Sequence, residues 1–139
     1  MKTVMIFGTF DIVHLGHLNF FKQAKKYGDT LIAVVARDER VEKLKKKTPV
    51  YTEKERKYFL EQIRLVDKVL LGDKADVYKK IREIKPDVIA LGYDQNYFTE
   101  KLEEKIKEFG LKTKVVRAKP YRAETLKSKN IRTRLETTL

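Results

Sequence analysis

Two histidines, His14 and His17, are the residues of this chain whose type and spacing most directly suggest chemistry. They are the only histidines in the sequence, and they lie three positions apart at the end of the segment 8–17, which reads Gly-Thr-Phe-Asp-Ile-Val-His-Leu-Gly-His. Imidazoles donate hydrogen bonds, so a pair of them can stabilise negative charge that develops on a phosphate group. The segment predicts a site for an anionic substrate, with a nucleoside triphosphate as the preferred ligand.

The segments on either side of the histidines are the elements that must position them. Val4–Phe7 is an apolar run typical of a short buried strand, and Leu18–Tyr27 has the pattern of an amphipathic helix. A loop that leads from a strand into a helix offers free backbone N–H groups, and the helix dipole also favours negative charge there. The local order of strand, loop and helix therefore agrees with an anion site.

The rest of the chain alternates between strand and helix patterns. Further strands are predicted at 30–36, 66–72, 87–92 and 112–117, and further helices at 37–44, from 52 onward, at 77–84, 100–109 and 128–137. This alternation predicts one α/β domain over residues 1–139, with a Rossmann-like fold, a five-stranded parallel sheet and helices on both faces. Ligands of such sheets bind beyond the carboxyl ends of the strands, so the loops after the first four strands are expected to meet at one edge.

The helix that begins near Thr52 has the clearest start signal. Glu55 follows Thr52 at the spacing of a capping box, in which each side chain accepts a hydrogen bond from the other residue's backbone. Apolar residues at helical spacing predict the face that packs on the sheet: Tyr58, Phe59 and Ile63, with Leu60 as a further candidate.

The composition excludes several classes of protein. The absence of cysteine rules out disulfides, thiolate metal ligands and a cysteine nucleophile, and only the histidine pair could supply imidazole ligands, so no metal-ligating residues are expected. There is no run of 18 apolar residues and no pattern of a secretory signal at the N-terminus, so we expect a cytoplasmic protein without a membrane span.

The net charge of +12 has two interpretations. It could attract anionic partners, including nucleic acid or a membrane surface. It could also be the surface of a thermophilic protein, because the chain is rich in Lys and Glu and lacks Cys and Trp. We favour the second interpretation for the bulk of the charge, and it leaves the local argument about the histidine segment unchanged.

Two common nucleotide-binding patterns are absent from the sequence. No G-x-G-x-x-G follows the first strand, and no G-x-x-x-x-G-K-[ST] occurs anywhere. Neither dinucleotide binding nor a P-loop is therefore indicated, although the fold class alone would suggest them.

At Gly8–Asp11 and His14–His17 the chain resembles the nucleotidyltransferase superfamily marked by an H-x-G-H motif. Within it, the resemblance is to the small cytidylyltransferase-like branch, which includes glycerol-3-phosphate cytidylyltransferase and the archaeal FAD synthases. Ile63–Asp67 is similar to the I-R-x-V-D segment of this branch. That segment lies at or near a dimer interface in the family, so the resemblance implies a homodimer with Arg64 and Asp67 near the contact.

The resemblance also implies a reaction. Enzymes of this kind join a nucleoside triphosphate to a phosphate-bearing acceptor with Mg²⁺ and release pyrophosphate, by in-line attack of the acceptor on the α-phosphate. Catalysis would then consist of positioning and charge stabilisation, with His14 and His17 as donors to phosphate oxygens and Gly16 allowing close approach of the backbone. The nucleotide-binding residues implied in this segment are Thr9, Phe10, His14, Leu15, Gly16 and His17.

Three further regions match nucleotide contacts of the family. Lys45, Lys46 and Lys47 lie where the family places a triphosphate-binding lysine, although a run of charges can equally be a solvated loop. Asp94 matches a nucleoside contact of the FAD-synthase-like members, and it could instead cap a turn. Tyr121 is similar to a late nucleotide contact, although a buried tyrosine in an interface would give the same pattern.

The last region departs from the family pattern, and this departure weakens the resemblance to glycerol-3-phosphate cytidylyltransferase most. Cytidylyltransferases of the branch carry Arg-Thr-x-Gly-Ile-Ser-Thr-Thr before the final helix, whereas residues 121–132 here keep only the Ser128 hydroxyl near the expected place, as a possible phosphate contact and N-cap. Residues 91–95 and 35–38 look more like the archaeal FAD synthases. We therefore expect transfer of AMP from ATP to FMN, which gives FAD and pyrophosphate.

Two alternatives remain open from the sequence. One is a cytidylyltransferase that uses CTP and glycerol 3-phosphate or another small phosphorylated alcohol. The other is a basic module that binds nucleic acid without catalysis. Only the charge supports the second alternative, because the chain has no nucleic-acid recognition motif, and nucleic acid is not an expected partner.

Overall fold

A computed structural model describes residues 1–96 and 99–121 of the chain, and these residues form a parallel sheet of five strands with helices packed on both faces. The strands are β1 (Thr3–Gly8), β2 (Thr30–Val35), β3 (Lys68–Leu71), β4 (Val88–Leu91) and β5 (Lys114–Arg117). The helices are α1 (Leu15–Lys25), α2 (Asp38–Lys45), α3 (Glu53–Glu61), α4 (Lys79–Ile84) and α5 (Leu102–Glu108), with a short 3₁₀ turn at Thr99–Lys101 before α5. The predicted fold class is confirmed.

The strand order is β3-β2-β1-β4-β5, and each neighbouring pair is parallel. The chain first builds outward from β1 to β3, then returns to the other side of β1 to add β4 and β5. The order therefore reverses between β1 and β4, and the loops that follow these two strands flank the crevice where such sheets bind ligands. The loop after β1 carries the two histidines, and the loop after β4 carries Asp94.

Alternate residues of the strands point to opposite faces and build two cores. From β1, Val4 and Ile6 join one cluster, in which α1 contributes Phe21 and α3 contributes Leu60. Met5 and Phe7 join the other cluster, to which α4 contributes Ile81 and α5 contributes Leu102 and Ile106. The strands read as continuous apolar runs because both faces of the sheet are covered.

The buried face of α3 differs from the prediction. Arg56 and Leu60, one helical turn apart, are the buried residues of this helix, whereas Tyr58 and Phe59 are 66% and 53% exposed. Residues at positions i and i+4 share one face, so the helix presents its aromatic residues to solvent. The prediction is confirmed for Leu60, which is buried, and for Ile63, which packs against the core, and it is wrong for Tyr58 and Phe59 because a buried arginine occupies that face.

The start of α1 also lies earlier than the apolar pattern indicated. The helix begins at Leu15, so His17 lies within its first turn and His14 is the residue that caps it. The last predicted helix, at 128–137, lies outside the described residues. In the part of the chain that is described, none of the helices has the length and apolar character needed to cross a membrane.

Candidate active site

The two histidines cap the start of α1 reciprocally. The Nδ1 atom of His14 accepts a hydrogen bond from the Gly16 N–H at 3.1 Å, and the Nδ1 atom of His17 accepts one from the His14 N–H at 3.2 Å. The two imidazole rings lie with their centroids 4.2 Å apart. Two N–H groups that a helix start normally leaves without an intrahelical partner are thereby satisfied by side chains.

These hydrogen bonds determine the protonation state of both rings. A ring nitrogen that accepts a hydrogen bond carries no hydrogen, so a neutral imidazole that accepts at Nδ1 must carry its hydrogen on Nε2. In both histidines Nδ1 is the acceptor. Each neutral ring therefore presents an Nε2–H donor, which is the form required to stabilise charge on a phosphate oxygen.

Burial keeps both rings in this neutral form. Burial lowers the pKa of His14 below 6.5. The pKa of His17 is lowered from 6.5 to about 4, first by burial and then by electrostatic interaction with His14 and with the positive charge of Lys45, while the Asp94 carboxylate acts in the opposite direction. His17 is thus neutral near pH 7 and would break its own cap if it were protonated.

The loop before the histidines is held by Phe10. Its side chain is buried, with its ring edge-on to Phe21 at 5.6 Å between centroids and to His17 at 6.0 Å. Its φ of 52° lies in the left-handed region, which is uncommon for a residue other than glycine. A Cβ on Gly8 would lie 2.7 Å from the Phe10 ring, so glycine is required there to admit it.

Gly16 has a structural role in addition to the close backbone approach to phosphate that the resemblance implied. A Cβ at this position would lie 2.8 Å from Cε1 of His14, which would displace the ring from its capping position. The small residue between the histidines therefore permits the reciprocal cap itself. Leu15, beside it in the first turn of α1, is 52% exposed.

The structure distinguishes Lys45 among the three consecutive lysines. Lys45 ends α2, and its charge contributes to the lowered pKa of His17. Lys46 is the C-cap residue in the left-handed region, and all three lysines are exposed. Asp94 also acts on the His17 pKa, so charges from the loop after β4 and from the end of α2 both influence the imidazole in the loop after β1.

Tyr121 also lies beside the start of α1. Its backbone oxygen is 3.9 Å from the position that a Cβ on Gly16 would occupy, and its side chain is 41% exposed. The segment is held there because the Gln23 side-chain amide donates to the Lys119 oxygen at 3.0 Å and accepts from the Lys119 N–H at 2.9 Å. Ser128, the remaining predicted phosphate contact, lies outside the described residues.

Two residues that hold the loop after β4 in place were not predicted from the sequence. The buried Gln95 accepts a hydrogen bond from the Gly92 N–H and donates to the Phe7 oxygen at 3.0 Å, which joins this loop to the end of β1. Arg117 donates to the backbone oxygens of Gly92 at 2.8 Å and Gln95 at 2.9 Å. The one sequence signal for these contacts was the position of Gln95, a polar residue that follows shortly after Gly92 at the end of the predicted strand.

A second polar network, which lies behind the histidine loop, was also not predicted from the sequence. The Asp11 carboxylate accepts hydrogen bonds from the N–H groups of Val50 and Tyr51, at 2.8 and 2.9 Å. Arg37 pairs with Glu53 at 2.7 Å. The loop after β1 is thereby joined to the segment before α3, and the start of α2 to the start of α3.

The predicted interface residues lie at the other end of the sheet. The Asp67 carboxylate accepts a hydrogen bond from the Leu31 N–H at 2.7 Å and pairs with the Lys25 ammonium, while Arg64 is exposed. Asp67 therefore fixes the start of β2 to α1 within one chain. The expected subunit contact stays a prediction.

Among the described residues no group of three or more His, Cys, Asp or Glu side chains could hold a metal ion. A cavity of about 470 Å³ opens between α3 and the loop after β1, with Asp11, Ile12 and Val13 on one side and Tyr58 and Phe59 on the other. Its volume is in the range of small-molecule sites. The exposed side of α3 thus borders the loop that leads to the histidines.

Comparison with known proteins shows which family has this fold and this sequence. Residues 5–134 match the family model described as cytidylyltransferase-like. A crystal structure of a lipopolysaccharide core biosynthesis protein from Thermoplasma volcanium superposes with a TM-score of 0.82 at 41% identity, over 87% of this chain and 98% of that one. The chain belongs to the cytidylyltransferase-like family.

Curated relatives narrow the placement within this family. The FAD synthase of Aciduliprofundum boonei is 46% identical over 121 residues, which cover 87% of this chain and 80% of the relative. The FAD synthase of Archaeoglobus profundus is 48% identical over 119 residues, which cover 86% and 76%. Within the cytidylyltransferase-like family, the chain belongs with the FAD synthases, as the sequence resemblance predicted.

Proposed function

We infer that this chain is a nucleotidyltransferase that transfers AMP from ATP to FMN, which gives FAD and pyrophosphate. The observation that carries the inference is the reciprocal cap of α1, which leaves two neutral imidazoles with their Nε2–H groups as donors at the edge where this fold binds nucleotides. The choice of ATP and FMN is supported by the FAD synthases that the chain matches over most of its length.

The proposed chemistry is a direct displacement at the α-phosphorus of ATP. A phosphate oxygen of FMN forms the new bond to phosphorus, and the bond to the oxygen that bridges the α- and β-phosphates breaks, so pyrophosphate leaves. His14 and His17 donate hydrogen bonds to phosphate oxygens, on which negative charge increases in the transition state. The donors act without proton transfer, which agrees with a His17 pKa of about 4 in the free protein.

Further residues are assigned to binding. We propose that Lys45, the lysine whose charge acts on His17, binds the triphosphate, and that Asp94 and Tyr121 contact the nucleoside, with the backbone of Thr9 and Phe10 toward the phosphates. We propose Mg²⁺ as the divalent cation. The described residues form no cluster that could hold it, so phosphate oxygens would supply most of its ligands, and bound Mg²⁺ would neutralise triphosphate charge.

An acceptor panel tests the proposal. The protein is incubated with FMN or glycerol 3-phosphate, each with ATP or CTP, and pyrophosphate release is followed. Release with ATP and FMN, and the appearance of FAD, is the expected result. Release only with CTP and glycerol 3-phosphate would establish the cytidylyltransferase alternative, and salt-sensitive binding of nucleic acid without any release would establish the binding module.

Three expectations from the sequence stay predictions. We propose a homodimer, which sedimentation of the purified protein would test, because a monomeric mass contradicts it. We also propose that residues 1–139 form one domain, for which a single cooperative unfolding transition is expected. A cytoplasmic location is the third, and fractionation of the source cells would check it.

A further inference from the structure

Arg56 is a buried charge in the middle of the polar network behind the histidine loop. The residue is 1% exposed, and in the part of the chain that is described the other buried polar residue is Gln95. Burial of a guanidinium is costly unless its donors are matched by acceptors in good geometry. A chain that only needed to pack α3 on the sheet could place an apolar side chain there, so the contacts of Arg56 indicate what it is used for.

Its donors reach three separate segments. Nη1 donates to the backbone oxygen of Thr9 at 2.7 Å, Nε donates to the backbone oxygen of Tyr51 at 3.1 Å, and Nη2 pairs with the Asp38 carboxylate at 2.7 Å. A planar guanidinium has five donors in a fixed fork, so one side chain can hold three acceptors in a defined arrangement. A lysine at this position could not match that geometry.

The contact with Thr9 fixes one particular peptide group. The C=O of Thr9 and the N–H of Phe10 belong to the same trans peptide and point in opposite directions. Because the oxygen points at Arg56, the Phe10 N–H points away from the guanidinium, and Phe10 itself holds a left-handed backbone conformation with φ of 52°. A strained conformation of this kind persists only where surrounding contacts enforce it.

The contact with Asp38 connects the same side chain to α2. Asp38 is the first residue of this helix, and it exchanges hydrogen bonds with Glu53 at the start of α3, at 2.9 and 3.2 Å. The far end of α2 carries Lys45, whose charge acts on His17. Arg56 therefore stands between the loop that leads to the histidines and the helix that carries the nearby cation.

We propose that Arg56 is a positioning residue for the triphosphate. It orients the Thr9–Phe10 peptide so that the Phe10 N–H is available to a phosphate oxygen, and through Asp38 it fixes α2, the helix that ends at Lys45, relative to this loop. Arg56 itself does not contact substrate. This inference rests on the proposed function only in taking ATP as the ligand of the loop.

The test compares Arg56→Lys with Arg82→Lys, a matched change on α4 on the opposite face of the sheet. Binding of ATP with Mg²⁺ is measured by calorimetry without FMN, and the KM for FMN is measured separately. Arg56→Lys is expected to weaken ATP binding about tenfold, because a point charge cannot hold three acceptors at once. The KM for FMN should stay within about twofold, and Arg82→Lys should match the wild type.

A second variant guards against a general loss of structure. Asp38→Asn keeps a side-chain oxygen for Arg56 but removes the charge, and it should weaken ATP binding by about threefold in the same direction; its melting temperature, measured on the same sample, shows that the variant is folded at the temperature of the assay. Unchanged ATP binding in Arg56→Lys would overturn the proposal. So would equal losses for ATP and FMN in both variants, because these would indicate a purely structural role.

The same measurements separate the two conclusions. A wild-type protein that binds ATP but forms no FAD contradicts the proposed function, and the effect of Arg56→Lys on ATP binding still decides the role of Arg56. A wild-type protein that forms FAD, with variants that bind ATP normally, contradicts the role of Arg56 alone. A wild-type protein that binds no ATP overturns both.

Discussion

Helices α1 and α3 begin with the same reciprocal cap, built from different residues. At α3, the Thr52 hydroxyl accepts from the Glu55 N–H at 3.2 Å and the Glu55 carboxylate accepts from the Thr52 N–H at 2.9 Å. At α1, two imidazoles make the corresponding bonds. The Thr–Glu pair is a common helix start, whereas the paired histidines leave a second nitrogen on each ring free of the capping role.

The difference shows how one structural motif can also carry chemistry. A hydroxyl or carboxylate that caps a helix offers acceptors that are engaged by the backbone. An imidazole that caps through Nδ1 becomes a donor at Nε2, because the capping bond itself selects the tautomer. The cap of α1 therefore stabilises the helix and prepares two donors for phosphate, and the five predictions below separate these roles.

The largest effect is expected from His17→Ala. Loss of the proposed donor should lower kcat by about a hundredfold to a thousandfold, the range found when one oxyanion donor is removed. Far-ultraviolet circular dichroism should stay unchanged, because α1 keeps its contacts with the sheet. Activity within a few fold of the wild type would show that the histidine cap is no more than a cap, like that of α3.

His14→Asn separates capping from donation. Asparagine is among the best N-cap residues, so the free energy of unfolding should stay within about 0.5 kcal/mol of the wild type. The Nε2–H donor is lost, so kcat should fall by roughly tenfold to a hundredfold. Denaturant unfolding and steady-state kinetics on the same sample measure the two quantities, and a stable variant with full activity would contradict the role given to His14.

The pH dependence of stability should differ between the two caps. His17 has a pKa of about 4 when folded against 6.5 when unfolded, so its contribution to stability is fully present above pH 6.5 and is lost as the pH falls toward 4. Between pH 7 and pH 5 the wild type should lose about 2 kcal/mol more than His17→Gln, which keeps a capping side chain but has no such titration. Urea unfolding of both proteins at the two pH values gives the difference, and parallel losses would disprove the pKa assignment.

The cap of α1 is also subject to the charge of Lys45, which acts on His17. Lys45→Ala should raise the KM for ATP about tenfold, because a charged partner of the triphosphate is lost. Lys47→Ala removes an equal charge from the exposed segment after α2 and serves as the control, with an expected change within twofold. Equal effects of the two substitutions would mean that the lysines act only through the general positive field.

The smallest effect is expected from Thr52→Ala. It removes the hydroxyl that caps α3 and should lower the free energy of unfolding by about 1 kcal/mol. The kcat should not change, because this cap has no donor directed at substrate. A loss of turnover comparable with that of the His14 variant would contradict the claim that the cap of α3 is purely structural whereas the cap of α1 also takes part in catalysis.

Local patterns were sufficient to predict the fold and to select the histidine pair as the centre of the candidate site. Periodicity and glycine positions predicted the five strands, and the spacing of Thr52 and Glu55 predicted the cap of α3 that the structure contains. The histidine pair was recognised from residue type and spacing. Arg56 was not, because an arginine within a charged helix usually lies on the solvent side, and only the arrangement of Thr9, Tyr51 and Asp38 around it makes burial favourable.

The sequence by itself determined which residues could do chemistry, because His14, His17 and Gly16 are neighbours along the chain and their capping bonds are local. It also determined the family, since the motifs span nearly the whole chain. Only the tertiary structure showed that the charges of Lys45 and Asp94 act on the His17 imidazole. These relations depend on the order β3-β2-β1-β4-β5, which brings residues that are distant in sequence to one edge of the sheet.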